Sequence, residues 1–337
     1  MAKVSVLGAG SWGIALATVL ADNGHQVTVW SVIENEIKML QEYREHKDKL
    51  PGVRLEESIS FTTDLEAAIT GRELIVMAVP SSFIRSTAKQ AAPFVAKGQI
   101  LVDVAKGIEE ATLMPMVDII EQEIPQASVA VLSGPSHAEE VGRKLPTTVV
   151  AGARKKEIAE FIQSIFMNQV FRVYTSPDVL GIELGGSLKN VIALAAGMAD
   201  GLGYGDNTKA ALITRGISEI SELALAMGAK SETLNGLSGI GDLIVTCASK
   251  HSRNRKAGML IGQGMTMKEA MDEVKMVVEG VYSAKAAIVL GEKYGVRLPI
   301  IEQVNDVLFH DVPAKEAVTN LMLREKRTEH SSLEWSN

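Results

Sequence analysis

Three glycines stand at the spacing Gly8-x-Gly10-x-x-Gly13, between the apolar run Val4, Val6, Leu7 and an Ala/Leu-rich stretch through Ile14 and Leu20. A strand, a glycine turn and a helix start in that order aim the unpaired N–H groups of the helix N-terminus at an anion. The first glycine suits a tight turn, the second lets a pyrophosphate approach the backbone, and the third lets the helix pack close to the strand. The chemistry this spacing points to is the holding of a dinucleotide. A second group lies far downstream, where Lys189 and Asn190 interrupt the otherwise apolar Gly185-Gly186-Ser187-Leu188-Lys189-Asn190-Val191. A buried lysine is costly unless paired, and burial lowers its pKa toward the range an acid or base needs at neutral pH. A lysine that snorkels its ammonium to solvent gives the same pattern, so this stretch alone leaves both readings open.

Further polar groups sit beside turns in Gly239-Ile240-Gly241-Asp242-Leu243 and in His251-Ser252-Arg253-Asn254-Arg255. A Ser-Arg-Asn run opening a helix offers a hydroxyl, a guanidinium fork and amide donors to one anion; an exposed basic helix start is the plain alternative. Arg253 and Arg255 are two positions apart, so they point to different faces and at most one serves a site. His137, in Ser133-Gly134-Pro135-Ser136-His137, is a candidate base, although a loop histidine has many other uses.

These residues need two kinds of scaffold. Up to about residue 176, short strands alternate with helical segments: strands at Gln26–Trp30, Ile59–Phe61, Leu74–Val79, Gln99–Val104, Val129–Leu132, Thr147–Ala151 and Val170–Tyr174. That alternation specifies a parallel sheet with right-handed crossovers. From Pro177 the pattern is helical throughout, so 1–176 is expected to bind the dinucleotide and 177–337 to form an all-α domain. Ser176 is expected to cap the first helix with Pro177 in its first turn, and Asp64 to cap a helix at Leu65. The polar tail Thr328–Asn337 is expected to be loosely ordered.

Composition narrows the partners. A chain of 337 residues is long enough for two domains, and its net charge of −7 leaves no basic surplus for nucleic acid. The single cysteine, Cys247, forms no internal disulfide and builds no cysteine cluster, which fits a reducing cytoplasm. No uninterrupted apolar run approaches the ~18 residues of a spanning helix, so membrane insertion is not expected. No metal-ligand spacing is visible.

Taken in order, Gly8-Ala9-Gly10-Ser11-Trp12-Gly13, Val79-Pro80-Ser81, Lys106-Gly107, Ser133-Gly134-Pro135-Ser136, Lys189-Asn190, Gly239-Ile240-Gly241-Asp242-Leu243, Arg253-Asn254-Arg255 and Val278-Glu279-Gly280 closely resemble the bacterial NAD(P)-dependent glycerol-3-phosphate dehydrogenases over nearly the whole chain. The resemblance implies a Rossmann-type, doubly wound, mostly parallel α/β sheet, followed by an all-α domain like that at the C-terminus of 6-phosphogluconate dehydrogenase. It implies reduction of dihydroxyacetone phosphate to sn-glycerol 3-phosphate, the precursor of glycerophospholipids. Lys189 matches the catalytic lysine, Lys106 a lysine touching substrate and cofactor, and Asp242 an acidic substrate ligand beside Lys189. Gly134, Ser136, Ser252, Arg253 and Asn254 match further substrate contacts. Ser11, Trp12, Ala138, Arg253, Val277 and Glu279 match cofactor contacts, and His137 matches no proton-transfer role. The resemblance leaves the oligomer open, with a homodimer the candidate.

The choice of cofactor turns on one departure. An NAD-selective site carries an acid at the end of the second strand, about twenty residues after the glycine loop. Here Ser31 and Val32 take that place beside the adenine ribose, with Glu34 a turn later. Neither that acid nor a basic residue for a 2′-phosphate stands there, so NADP(H) and NAD(H) are both expected to bind, with NADPH favoured. Two alternatives stay open at this stage. One is another hydroxyacid dehydrogenase of the 6-phosphogluconate dehydrogenase type; the other is a regulator that binds NAD(P)H without turnover.

Overall fold

The computed structural model describes residues 1–326, 328 and 329. Eight strands form one sheet: β1 (Lys3–Leu7), β2 (Gln26–Trp30), β3 (Ser60–Thr62), β4 (Leu74–Met77), β5 (Ile100–Asp103), β6 (Ser128–Ser133), β7 (Thr147–Ala153) and β8 (Phe171–Ser176). Their spatial order is β3-β2-β1-β4-β5-β6-β7-β8. Every neighbouring pair is parallel except β6 and β7, where Leu132 faces Ala151 across an antiparallel ladder. The apolar runs in β4 and β5 are buried on both faces, as central parallel strands must be. At the far edge β8 alternates buried Phe171 and Val173 with exposed Arg172 and Tyr174, because only one of its faces is covered.

Seven helices connect these strands: α1 (Ser11–Asp22), α2 (Glu34–Tyr43), α3 (Leu65–Ile69), α4 (Ile84–Ala91), α5 (Met116–Glu123), α6 (Ala138–Val141) and α7 (Lys156–Phe166). One sheet face packs α1 and α7 through Ile14, Leu16, Ile162 and Phe166; the other packs α4 and α5 through Ile84, Ala88, Val117 and Ile120. Asp64 caps α3 by accepting from the Ala67 N–H, as expected. Strand order reverses between β2 and β4 on either side of β1, which opens a crevice at the carboxyl ends of the strands. The loops that begin at Gly8, Ala78, Val104 and Gly134 all leave strands at that edge.

The second half is helical: α8 (Val179–Gly201), α9 (Asp206–Ala226), α10 (Ser231–Leu234), α11 (Asp242–Ala248), α12 (Arg253–Gly262), α13 (Met267–Val274), α14 (Glu279–Tyr294), α15 (Pro299–Phe309) and α16 (Ala314–Met322). Helix α8 is the central post, buried almost from end to end and surrounded by α9, α11, α12 and α14. By length and hydropathy it is the one described helix that could cross a membrane, but 89% of that apolar window is buried inside the protein. Its cap is not Ser176. Asp178 accepts from the Gly181 N–H, while the Ser176 hydroxyl accepts from Asp178 N one turn earlier, at the end of β8. The carboxylate wins because it lies directly beneath the first free N–H groups of the helix. Nearly all of Thr328–Asn337, the tail expected to be loosely ordered, lies outside the described residues.

Helices α8 and α12 meet backbone to backbone. A Cβ on Gly197 or Gly201 would stand 2.1 or 2.2 Å from the Arg255 or Met259 carbonyl oxygen; one on Gly258 or Gly262 would stand 2.1 or 2.3 Å from that of Leu194 or Met198. Glycines four apart on both helices create this seat, as small residues do wherever helices approach this closely.

Candidate active site

At the first end of the crevice each glycine has a separate physical duty. Gly8 has φ +121°, and a Cβ there would lie 2.6 Å from the Ala78 carbonyl oxygen; its N–H donates to Trp30 O at 2.9 Å. A Cβ on Gly13 would meet the Gly8 carbonyl at 2.1 Å, so α1 packs against the turn only without one. Gly10 differs from both. Its φ is an ordinary −70°, and a Cβ there meets nothing of this chain within 4 Å. The space beside it therefore fits an approaching ligand. Helix α1 begins at Ser11 with no side-chain cap and no acid in its first turn, which leaves its N–H groups for an anion. Trp12 packs half-buried on the core beside it, and Ala138 opens α6, which packs against α1.

At the end of β2 the structure departs from the sequence expectation. Val32 is exposed and Ser31 buried, and Glu34 points to solvent in an ion pair with Lys38. The carboxylate at this position comes from Glu36. It accepts from the Ser31 hydroxyl at 2.8 Å, pairs closely with Lys49, and lies 3.7 Å from His46 Nε2. Burial opposes its charge, but His46, Lys49 and Ser31 outweigh burial and bring its pKa down to about 2. Lys49 is tied to the glycine loop, since its carbonyl accepts from Ser11 Oγ at 2.6 Å.

At the other end α8 brings Lys189 to the crevice. Two glycines permit this. A Cβ on Gly185 would stand 2.5 Å from the Ser238 carbonyl, so α8 touches the π-helical turn Leu237–Gly241; one on Gly186 would meet Ser133 Oγ at 3.0 Å and the Lys106 stem at 3.6 Å. One turn further along, Lys189 Nζ donates to Asp242 Oδ1 at 2.5 Å and to Thr246 Oγ1 at 2.6 Å. Lys106 Nζ reaches the other oxygen, Asp242 Oδ2, at 2.6 Å and the Gly134 carbonyl at 3.1 Å. Lys189 does not snorkel: its side chain is 6% exposed. Burial brings its pKa down to about 7 against the pull of Asp242, and Lys106 adds to the lowering. Burial works against the Asp242 charge too, but Lys106 and Lys189 hold its carboxyl below the usual range. One carboxylate thus bridges two ammonium groups, one sealed and one partly buried.

The remaining expected residues divide by what they hold. Glu279, at the start of α14, accepts from Ser81 N at 3.1 Å and closely from Ser81 Oγ, joining the loop after β4 to the helical half. Val277, half-buried, precedes it. Arg253, at the start of α12, keeps exposed surface; desolvation lowers its pKa, and the charges of Glu279 and Glu139 oppose that lowering. Ser252 is committed as the cap of α12, accepting from Arg255 N. Asn254 is committed through both amide atoms, donating to Asn190 Oδ1 at 3.0 Å and accepting from Gly280 N at 2.8 Å. Arg255 turns to Asp200 at 2.6 Å, so the two arginines do diverge. Ser136 Oγ donates to Gly134 O within its own loop. For His137, burial followed by the charges of Lys189 and Lys106 pushes the pKa down to about 4. A neutral ring of that basicity is a weak proton acceptor.

Sequence reasoning missed Thr246, Glu36, Lys49 and His46. Thr246 was findable, because it stands four residues after Asp242 and so shares its helix face. The Glu36 cluster was not, because the connection Arg44–Glu57 carries no periodicity that would say where it folds. Cys247 is buried, with its thiol pushed up to about 12 by burial. Among the described residues no group of three His, Cys, Asp or Glu is arranged to hold a metal.

Comparison with known proteins agrees with this geometry. The model of the N-terminus of NAD-dependent glycerol-3-phosphate dehydrogenase matches residues 3–159, and that of its C-terminus matches 178–319. A glycerol-3-phosphate dehydrogenase [NAD(P)+] of Agathobacter rectalis is 72% identical over 99% of this chain and 100% of its own length. One of Fusobacterium nucleatum is 58% identical over 98% and 100%. The crystal structure of glycerol-3-phosphate dehydrogenase from Coxiella burnetii superposes with a TM-score of 0.93 at 35% identity, covering 96% of this chain and 99% of that one.

Proposed function

Because this chain belongs to the NAD-dependent glycerol-3-phosphate dehydrogenase family, we propose that Lys189 is the acid of the family's reaction. The protein is an NAD(P)-dependent oxidoreductase that reduces dihydroxyacetone phosphate to sn-glycerol 3-phosphate. The dinucleotide, when bound, supplies the hydride for the ketone carbon. Negative charge then grows on the ketone oxygen, where Lys189 acts as counter-charge and proton donor. Asp242 holds the Lys189 ammonium through one oxygen and Lys106 through the other, so Lys106 can orient the substrate while staying hydrated. Arg253 is the candidate for the substrate phosphate, while Ser252 and Asn254 support it by fixing α12. The observation that carries this reading is the sealed Lys189, whose pKa of about 7 suits proton transfer in both directions.

Gly8, Gly10, Gly13, Ser11 and Trp12 form the pyrophosphate side of the same reading, and Ser31 lies at the adenine ribose. NADPH serves at least as well as NADH, since Lys49 neutralises the carboxylate beside Ser31. Residues 1–176 act as the dinucleotide domain and 177–337 as the catalytic one, in the cytoplasm, with the reaction in the cleft between them. Following NADPH absorbance with dihydroxyacetone phosphate and with free dihydroxyacetone tests this. Remote phosphate binding serves to orient the carbonyl, so the free ketone loses turnover as well as affinity. Equal kcat/KM for the two ketones sinks the reading.

A further inference from the structure

The cluster at the end of β2 is not used by the chemistry above, yet it is built. Ser31 closes the second strand, where a dinucleotide fold presents its residues to the adenine ribose. Glu36 is buried and bonded to Ser31 Oγ at 2.8 Å. Lys49, with 33% of its side chain exposed, pairs with the other Glu36 oxygen. His46 braces the pair from behind, its Nδ1 accepting from Lys49 N at 3.2 Å and its Nε2 facing Glu36 at 3.7 Å. The Lys49 carbonyl is held by Ser11 Oγ at 2.6 Å, so the main chain that carries this ammonium is tied to the first residue of α1. A fixed acid there would repel a 2′-phosphate and a lone cation would demand one. This chain has both, bonded to each other.

We propose that Lys49 and Glu36 together set the choice between the two dinucleotides: Lys49 turns from Glu36 to a ribose 2′-phosphate, and Glu36 accepts from a ribose 2′-hydroxyl when no phosphate is present. The inference rests on the reading that the ribose lies at Ser31. In each state Lys49 keeps an anion and Glu36 keeps the Ser31 hydroxyl. With the phosphate present, Lys49 exchanges one anion for another and Glu36 keeps Ser31 and His46. With the hydroxyl present, Lys49 stays on Glu36, whose carboxylate has lone pairs to spare. Discrimination is therefore weak by construction.

The test is calorimetric binding of adenosine 2′,5′-bisphosphate and of 5′-AMP, independent of turnover, in wild type, Lys49→Met, Lys49→Arg and Glu36→Gln. A charge-assisted bond to phosphate predicts that Lys49→Met lowers the bisphosphate-to-AMP affinity ratio roughly 10- to 100-fold. Lys49→Arg restores it, and Glu36→Gln raises it by releasing Lys49 from its internal partner. A ratio unmoved in Lys49→Met, or lowered in Glu36→Gln, overturns the proposal. Measuring kcat/KM for NADPH and NADH on the wild type alone checks the cofactor preference, so that reading can fail while this one stands. Should neither nucleotide bind near Ser31, shown by Ser31→Asp leaving the ratio unchanged, both fall together.

Discussion

The two ends of the crevice are built by opposite means. At the glycine loop the chain removes side chains and offers backbone: Gly8 and Gly13 are needed by the fold, and Gly10 alone is open. At Lys189 the chain brings three charges within a few ångströms, two of them buried, and ties both ammonium groups to one carboxylate. The first end therefore depends on shape and tolerates little that occupies space. The second depends on charge and should tolerate an apolar replacement as a fold, but not as a catalyst. Binding and chemistry should be separable by mutation.

The largest separation comes from Lys189→Met, which keeps length and apolar packing. Turnover should fall at least ~10²–10⁴-fold, the range for a positioned acid, while thermal stability and NADPH affinity stay near wild type. Near-normal kcat would hand the proton to Lys106 or His137 and erase the contrast. Next is Gly10→Val, whose Cβ meets nothing of this chain within 4 Å. Dinucleotide Kd, read by fluorescence titration, should rise roughly 10- to 100-fold from overpacking against the ligand, with an unchanged melting temperature. A large drop in melting temperature would make Gly10 a fold residue like Gly8. A smaller effect sharpens the charge side. The acid form of Lys189 is present below its pKa of about 7, so kcat/KM for ketone reduction should decline as pH rises through that value. The reverse oxidation, which needs the neutral amine, should rise through the same limb. Removing a neighbouring positive charge raises a lysine pKa, so Lys106→Met should move the limb upward, and a limb that stays put would uncouple the two lysines. The smallest effect is Ser252→Ala, which removes a helix cap and should cost about 1 kcal/mol of unfolding free energy. A large KM change with no loss of stability would return Ser252 to the substrate.

The same contrast explains what the sequence made legible. The glycine loop could be read because its spacing is local and each glycine has a mechanical reason within a dozen residues. The alternation of strand and helix gave the sheet, though not the antiparallel turn of β7, because a connection such as Gly134–Pro146 does not reveal which way the next strand runs. Lys189 was visible only as an oddity in an apolar helix. Its partners Asp242 and Lys106 lie 53 and 83 positions away, reached through the turn at Leu237–Gly241 and the loop after β5, and only family resemblance joined them. Glu36 was hidden differently. It lies within a turn of the expected position, but an amphipathic helix does not state which of its acids turns back onto the preceding strand.

The glycine seat between α8 and α12 has a consequence for substrate size. Lys189 and Asn190 ride on one helix and Arg253 and Asn254 on the other, so the span from the proposed proton donor to the proposed anion holder is set by main-chain contact and not by side-chain reach. Four carbonyl-to-glycine seats lock that span like teeth on a rack. A longer phosphorylated ketone would require α12 to slip along α8, and every seat would have to open at once. The site can change its charges by point mutation, but its length is a property of the helix pair.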